Sequence, residues 1–198
     1  MTRANDITDL ILQEYPISNE MRNHFASRTR NHIDLVRYFC TKIAALDSRF
    51  ANLSGSTHDA SKYEEPELTP YIYISWQYKL KDAGLDYKMP DVIQGMMNKA
   101  TEHHIKNNSH HPEYHFDGKI DLINRNDRDK IPDKIIDATS MDYLSIGEMV
   151  ADWCAMSKEK SGNPIDWAYK NINKRWKFTD TQVDLIYYLI NVAWDNEA

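Results

Sequence analysis

The chain has 198 residues, 41% of them hydrophobic and 27% charged, with 24 basic against 30 acidic side chains for a formal net charge of -6. That length suits one domain with a sizeable core and is short for two, and the dispersed Lys and Arg leave no broad basic footprint for nucleic acid. Cys40 and Cys154 are too few for a disulfide framework and lack CxxC spacing, no apolar run nears the ~18 residues of a membrane span, and the polar start MTRANDITD has no signal-peptide core, so a cytoplasmic protein without a membrane partner is expected.

From about residue 20 to 50, His32, Leu35, Val36, Phe39, Ile43 and Leu46 recur at three- and four-residue steps. This predicts a long amphipathic helix with a histidine on its apolar stripe. Ser54-Gly55-Ser56 marks a turn, after which Thr57 is placed to cap a short helix carrying His58, Asp59 and Lys62. Pro66 and Pro70 bracket Glu67 and force a turn before residues 71–80, YIYISWQYKL. Tyr, Ile and Trp there suit a strand as well as a buried helix, and with no partner strand visible elsewhere a helix is expected. Residues 92–107 read as a helix starting after Pro90 with His103 and His104 near its end. Asn107-Asn108-Ser109 and Pro112 interrupt or end it.

Residues 118–136, which include NRNDRDK, read as a surface loop or insertion, the best candidate for a substrate-facing excursion. Helical spacing returns at residues 141–158 with Ile146, Met149, Val150, Trp153 and Met156, and again at 179–194. The expected fold is an all-α, single-domain helical bundle over residues 1–198.

Eight histidines are present, five of them within the thirteen positions from His103 to His115, and a sixth forms the pair His58-Asp59. Clustered His and Asp in a chain without disulfides point to a metal. His32 puts an imidazole on an apolar face, where it is either a ligand or a hydrogen-bonded core histidine. Asp152 flanks an apolar stripe with Glu148 one turn before it, and a carboxylate there is costly unless it is ion-paired or metal-bound. His104 and His111 stand seven residues apart, two turns of a continuing helix or successive sides of a tight turn, and either arrangement lets both face one cavity. His103, His110 and His115 cannot all be ligands as well, which leaves some as ligand-supporting, substrate-contacting or solvated groups.

Taken in order, His32, the His58-Asp59 pair in HDASK, His104, His111 and Asp152 resemble the ligand order of the HD superfamily of metal-dependent phosphohydrolases. HHPE, from His110 to Glu113, is similar to the HHE of HD-GYP phosphodiesterases, but the GYP segment is missing and cyclic-di-GMP hydrolysis is not implied. HDASKYEEPELTPY, HHIKNNSHHPEYH and EMVADW together resemble, over nearly the whole chain, an uncharacterised family frequent in bacteriophages and bacteria.

The HD resemblance implies one or two divalent ions (Mn, Fe, Co, Ni or Zn) on His32, His58, Asp59, His104, His111 and Asp152. His103, His110, Glu113 and Glu148 are assigned to substrate contact or ligand support. A bound water of lowered pKa would attack the phosphorus of a nucleotide or another small phosphate ester, with Asp59 as the bridge if two ions are present. Lys62, four positions after His58, is either a phosphoryl contact or a solvated lysine, and Glu67 either orients a ligand histidine or the attacking water or caps the next helix. Two other readings stay open. An HD-like scaffold also carries the di-iron site of inositol oxygenases, and the ion can serve a non-catalytic metal- or nucleotide-binding protein. Homo-oligomerisation is left open.

Overall fold

A computed structural model describes residues 10–118 and 131–194. The expected all-α class holds. In chain order the main elements are α1 (Asn19–Leu46), α2 (Leu68–Asp82), α3 (Asp91–Asn107), β1 (Ile136–Asp137), α4 (Tyr143–Lys160), α5 (Pro164–Asn171), β2 (Trp176–Lys177) and α6 (Asp180–Trp194). No helix among the described residues is long and apolar enough to cross a membrane.

The described residues fall into two compact units. One takes the chain up to Thr29 together with Ser61–His104, and the other takes Arg30–Ala60 and the chain from Ile105 onward. In the first unit, Met21 and Phe25 of α1, residues Tyr71 to Ile74 of α2, and Ile93, Met97 and Ala100 of α3 form the core. Seven consecutive buried residues in α2, Thr69 to Ser75, explain why its sequence has no clean period, since a helical stretch covered on all sides shows no polar face. The Tyr73 hydroxyl finds its partner in the Tyr15 carbonyl at 2.6 Å.

In the second unit the core joins Val36, Phe39, Cys40 and Ile43 of α1 to Met149, Val150 and Cys154 of α4 and Ile186, Leu189 and Ile190 of α6. Here α1 stops at Leu46, short of the expected residue 50, because the Asp47 carboxylate accepts the Arg49 backbone N–H at 3.0 Å and caps a short 3₁₀ turn, Ser48–Phe50. Side-chain capping of this kind competes with helix continuation. The turn drops Phe50 into the core, fully buried.

Three features depart from the sequence reading. A strand pair does exist: β1 and β2 pair in parallel, Ile136 opposite Trp176 and Asp137 opposite Lys177, but two residues per strand are too few to display alternation. Helix α5 was not anticipated, although Asn163 caps it by accepting the Ile165 N–H and Pro164 occupies its first turn, the usual start signal. His58 and Asp59 lie in a turn, not on a helix; the 3₁₀ segment Ala60–Tyr63 begins only after them. Of the expected loop 118–136, residues 119–130 lie outside the described residues, 131–135 are irregular, and Ile136 already belongs to β1.

Gly147, in the interior of α4, is there because of space: a Cβ at that position would stand 2.9 Å from the Phe50 ring and 3.0 Å from Leu53. Gly147→Ala should gain up to ~1 kcal/mol of helix propensity yet lose about 1–3 kcal/mol to overpacking. A net loss of stability in urea unfolding is the expected result.

Candidate metal centre

The second unit brings four chain segments to one point. His32 sits on α1, facing inward with Val36 and Phe39 and 7% exposed. His58 and Asp59 come from the turn that follows Gly55. That turn lies against α1 because Gly55, at φ +59°, leaves only 3.2 Å between its absent Cβ and Cys40 Sγ, and because the Arg37 guanidinium donates to the Ser56 carbonyl at 3.1 Å. Asp59 itself has φ 57°, a left-handed conformation that Asp tolerates better than most residues, and it is almost completely buried.

His110 comes from the segment after α3, whose ends are drawn together by Lys106 donating to the Glu113 and Phe116 carbonyls at 3.3 and 2.9 Å. Helix α4 supplies Glu148, Asp152 and Glu159, spaced four and seven apart and therefore on one face. Asp142 fixes the helix start by accepting the N–H groups of Leu144 and Ser145.

The donor atoms converge with a consistent polarity. His32 Nε2 lies 3.1 Å from Asp152 Oδ1 and 3.8 Å from Asp59 Oδ2. His58 Nε2 lies 3.7 Å from Asp59 Oδ2 and 3.9 Å from Asp152 Oδ1, and His110 Nε2 lies 3.8 Å from Asp59 Oδ1. Each ring turns its other nitrogen toward an outer carboxylate: His58 Nδ1 and His110 Nδ1 toward Glu148 Oε1 at 2.9 and 3.4 Å, and His32 Nδ1 toward Glu159 Oε1 at 3.4 Å.

Burial alone would raise the Glu148 carboxyl, but its hydrogen bonds to His110 and His58 hold it down at about 2. As an ionised acceptor it obliges His58 Nδ1 to be the donor. The lone pair of a neutral His58 then sits on Nε2, an atom that is buried and has no hydrogen-bond partner.

These groups fit a cation. His32, His58 and Asp59 form one set whose candidate ligand atoms lie within 4.8 Å of one another, and His58, His110 and Asp152 form another. Donors bound at roughly 2.1 Å to one ion stand roughly 3.0 Å apart across an octahedral edge and roughly 3.4 Å apart in a tetrahedron; the His32–Asp152 spacing of 3.1 Å lies within that range, and the other Nε2-to-carboxylate spacings, 3.7 to 3.9 Å, are longer.

Protonation supports the same conclusion. Burial opposes charge on Asp152, yet the hydrogen bond and charge of His32 hold it well below the usual carboxylate range. Burial likewise opposes the His32 cation, and the Asp152 and Glu159 carboxylates overcome that and raise it to about 9. His110 is lowered, first by burial and then by the neighbouring His58. A proton on His32 thus supplies the positive charge that an ion would supply when bound.

His111 is buried in the same unit, precedes the 3₁₀ turn Pro112–His115, and its ring lies 4.3 Å from that of His110. Glu113 points into the core, where it accepts the Trp176 indole N–H at 3.0 Å. The remaining predicted residues belong to the first unit. There Glu67, fully buried, makes no capping bond to α2. Its two oxygens instead accept His103 Nδ1 at 2.6 Å and His104 Nδ1 at 2.8 Å. Burial pushes the Glu67 carboxyl up, and its hydrogen bond to His104 prevails and lowers it. Glu67 therefore hydrogen-bonds two histidines and does not cap α2.

Helix α3 ends at Asn107, so His104 and His111 are not two turns apart on one helix. Lys62 shares no helix face with His58, since His58 precedes the 3₁₀ segment; its Nζ lies 5.3 Å from the Tyr71 ring centroid. The sequence reading placed His110 outside the ligand group and overlooked Glu159. Adjacent histidines in a turn cannot be ranked without the backbone, but the spacing of Glu159 from Asp152 on one helix was visible.

The sequence profile of a family described as a family of unknown function, DUF5662, matches residues 21–192. No curated protein and no solved structure matches the chain.

Because His32 Nε2 must shed its proton to take an ion, binding near neutral pH should release about one proton per ion from this group. Apparent affinity should rise by up to about tenfold per pH unit until the His32 value of about 9 is reached. Calorimetry in buffers of different ionisation enthalpy measures that release, and its absence would remove His32 from the ligand set.

Proposed function

Since the chain belongs to the DUF5662 family, whose function is unknown, we propose from the site itself that the protein is a metal-dependent phosphohydrolase acting on a nucleotide or another small phosphate ester. The observation that carries the reading is the buried, hydrogen-bond-free Nε2 of His58, with its ring fixed from behind by Glu148. A carboxylate behind an imidazole sets the tautomer and strengthens the ring as a ligand. Carboxylates also lie behind His32 and His110, and charged carboxylates in a protein core are costly unless they are paired or bound to an ion.

Imidazole and carboxylate donors suit Mn, Fe, Co, Ni or Zn. When bound, such an ion lowers the pKa of a coordinated water to the point where hydroxide is available at neutral pH, and it polarises a phosphoryl oxygen. His32, His58, Asp59 and Asp152 would hold it. The two oxygens of Asp59 face different rings, Oδ2 toward His32 and His58 and Oδ1 toward His110, so Asp59 and His110 would be among the residues to hold a second ion if one binds. Glu148 keeps the Nδ1 proton on His58, and Glu159 places a carboxylate 3.4 Å from His32 Nδ1.

The test is to load the protein with each of these metals and screen nucleotides and a chromogenic phosphate monoester and diester. Metal-dependent release of phosphate or alcohol, lost in His58→Ala with helical circular dichroism retained, is expected. Oxygen uptake by the iron form without hydrolysis would replace the proposal with the oxygenase reading, and metal binding with neither reaction would leave a binding protein. Glu148→Gln should keep the fold and weaken metal binding by about 10- to 100-fold, measured by competition with a chromogenic chelator.

A further inference from the structure

Trp176 lies outside the metal centre and touches both segments that flank it. Its indole N–H donates to Glu113 Oε1 at 3.0 Å, a bond in which both partners are buried. Its face stacks on Trp153, with ring centroids 5.8 Å apart and planes at 18°. Glu113 stands three residues after His110, across Pro112, in a tight 3₁₀ turn. Trp153 directly follows Asp152 on α4. One indole therefore joins the turn that carries His110 to the helix that carries Asp152.

The next residue back strengthens the join. Arg175 is 5% exposed, its guanidinium lies 4.9 Å from the Trp176 ring centroid, and one of its nitrogens lies 3.6 Å from Glu113 Oε1. A buried carboxylate with two such partners has a defined position, because displacing it leaves an uncompensated charge and an unsatisfied N–H. The backbone of Trp176 is itself held by its register with Ile136 across the β1–β2 pair.

We propose that Trp176, acting with Arg175 through Glu113 and Trp153, is a positioning residue that sets the distance between His110 and Asp152 and so tunes the affinity of the metal centre. This rests on the reading of the centre given above. Trp176 touches neither an ion nor a substrate; it acts on the ligands from behind, where a misplacement of about 1 Å is enough to spoil a coordination site.

The experiment uses Co²⁺ alone as the probe, its visible absorption reporting the number and type of ligands and a titration giving its affinity. Trp176→Phe keeps the stack on Trp153 but removes the N–H donor, Glu113→Ala removes the acceptor, and Glu113→Gln retains an acceptor oxygen. Trp176→Phe and Glu113→Ala should bind Co²⁺ at least about tenfold more weakly, with an altered spectrum and unchanged helical circular dichroism, and Glu113→Gln should recover most of the affinity. If Trp176→Phe does not fold, the contrast between Glu113→Ala and Glu113→Gln decides. Wild-type affinity and spectrum in a folded Trp176→Phe or Glu113→Ala would overturn the positioning role while leaving the metal centre standing. A wild-type protein that binds no Co²⁺ or other divalent ion would overturn both.

Discussion

Two aspartates, Asp59 and Asp152, stand among three imidazoles inside the second unit, and the cost of keeping those carboxylates charged there governs much of what surrounds them. An ionised carboxylate withdrawn from water costs several kcal/mol unless it is paired or bound to a cation. Without an ion, His32 meets part of that cost by holding a proton up to about pH 9. Glu148, ionised down to about pH 2, adds negative charge at the same place. A protein needing only a stable core would have filled these positions with apolar side chains, which is often the more stable choice.

The surrounding structure follows from that requirement. Helix α1 presents His32 within its apolar face, and Gly55 and Arg37 lay the His58-Asp59 turn against the same helix. Helix α4 spaces its acids so that Glu148 faces two imidazoles from the outer side, Asp152 faces His32 and His58 from the inner side, and Glu159 lies behind His32. Gly147 lets that helix approach Phe50, and Lys106 closes the segment carrying His110. The strain expected of a left-handed Asp59 is placed where it aims a carboxylate inward, and strained residues persist when their surroundings fix them.

Long amphipathic segments were readable from sequence because their burial is periodic. The ends of α3, α4 and α6 fell within two residues of expectation, and the order His32, His58-Asp59, Asp152 survived as a spatial group. What the sequence left unread has specific physical origins. The segment around His58 looked like a capped helix because a 3₁₀ turn and an α-helix share their start signals. The choice between His110 and His111 depends on backbone torsions within a turn, which composition does not encode. Glu113 read as a substrate contact or a ligand support, and its hydrogen bond to Trp176 could not be read from sequence because it joins residues 63 positions apart. Glu67 was ambiguous between cap and support until its oxygens were found on His103 and His104.

What unifies these observations is a set of imidazoles whose Nδ1 atoms face outer carboxylates and whose Nε2 atoms face the two aspartates. The most direct test is the metal content of the protein, purified without a metal-binding tag, measured by elemental mass spectrometry beside Asp59→Asn. That substitution suits the left-handed backbone and keeps the size of the side chain while removing its charge. About one or two equivalents of Mn, Fe, Co, Ni or Zn in the wild type, falling steeply in the variant with the helical spectrum unchanged, is the predicted result. No metal in the wild type after reconstitution, or equal metal in both proteins, would contradict the account.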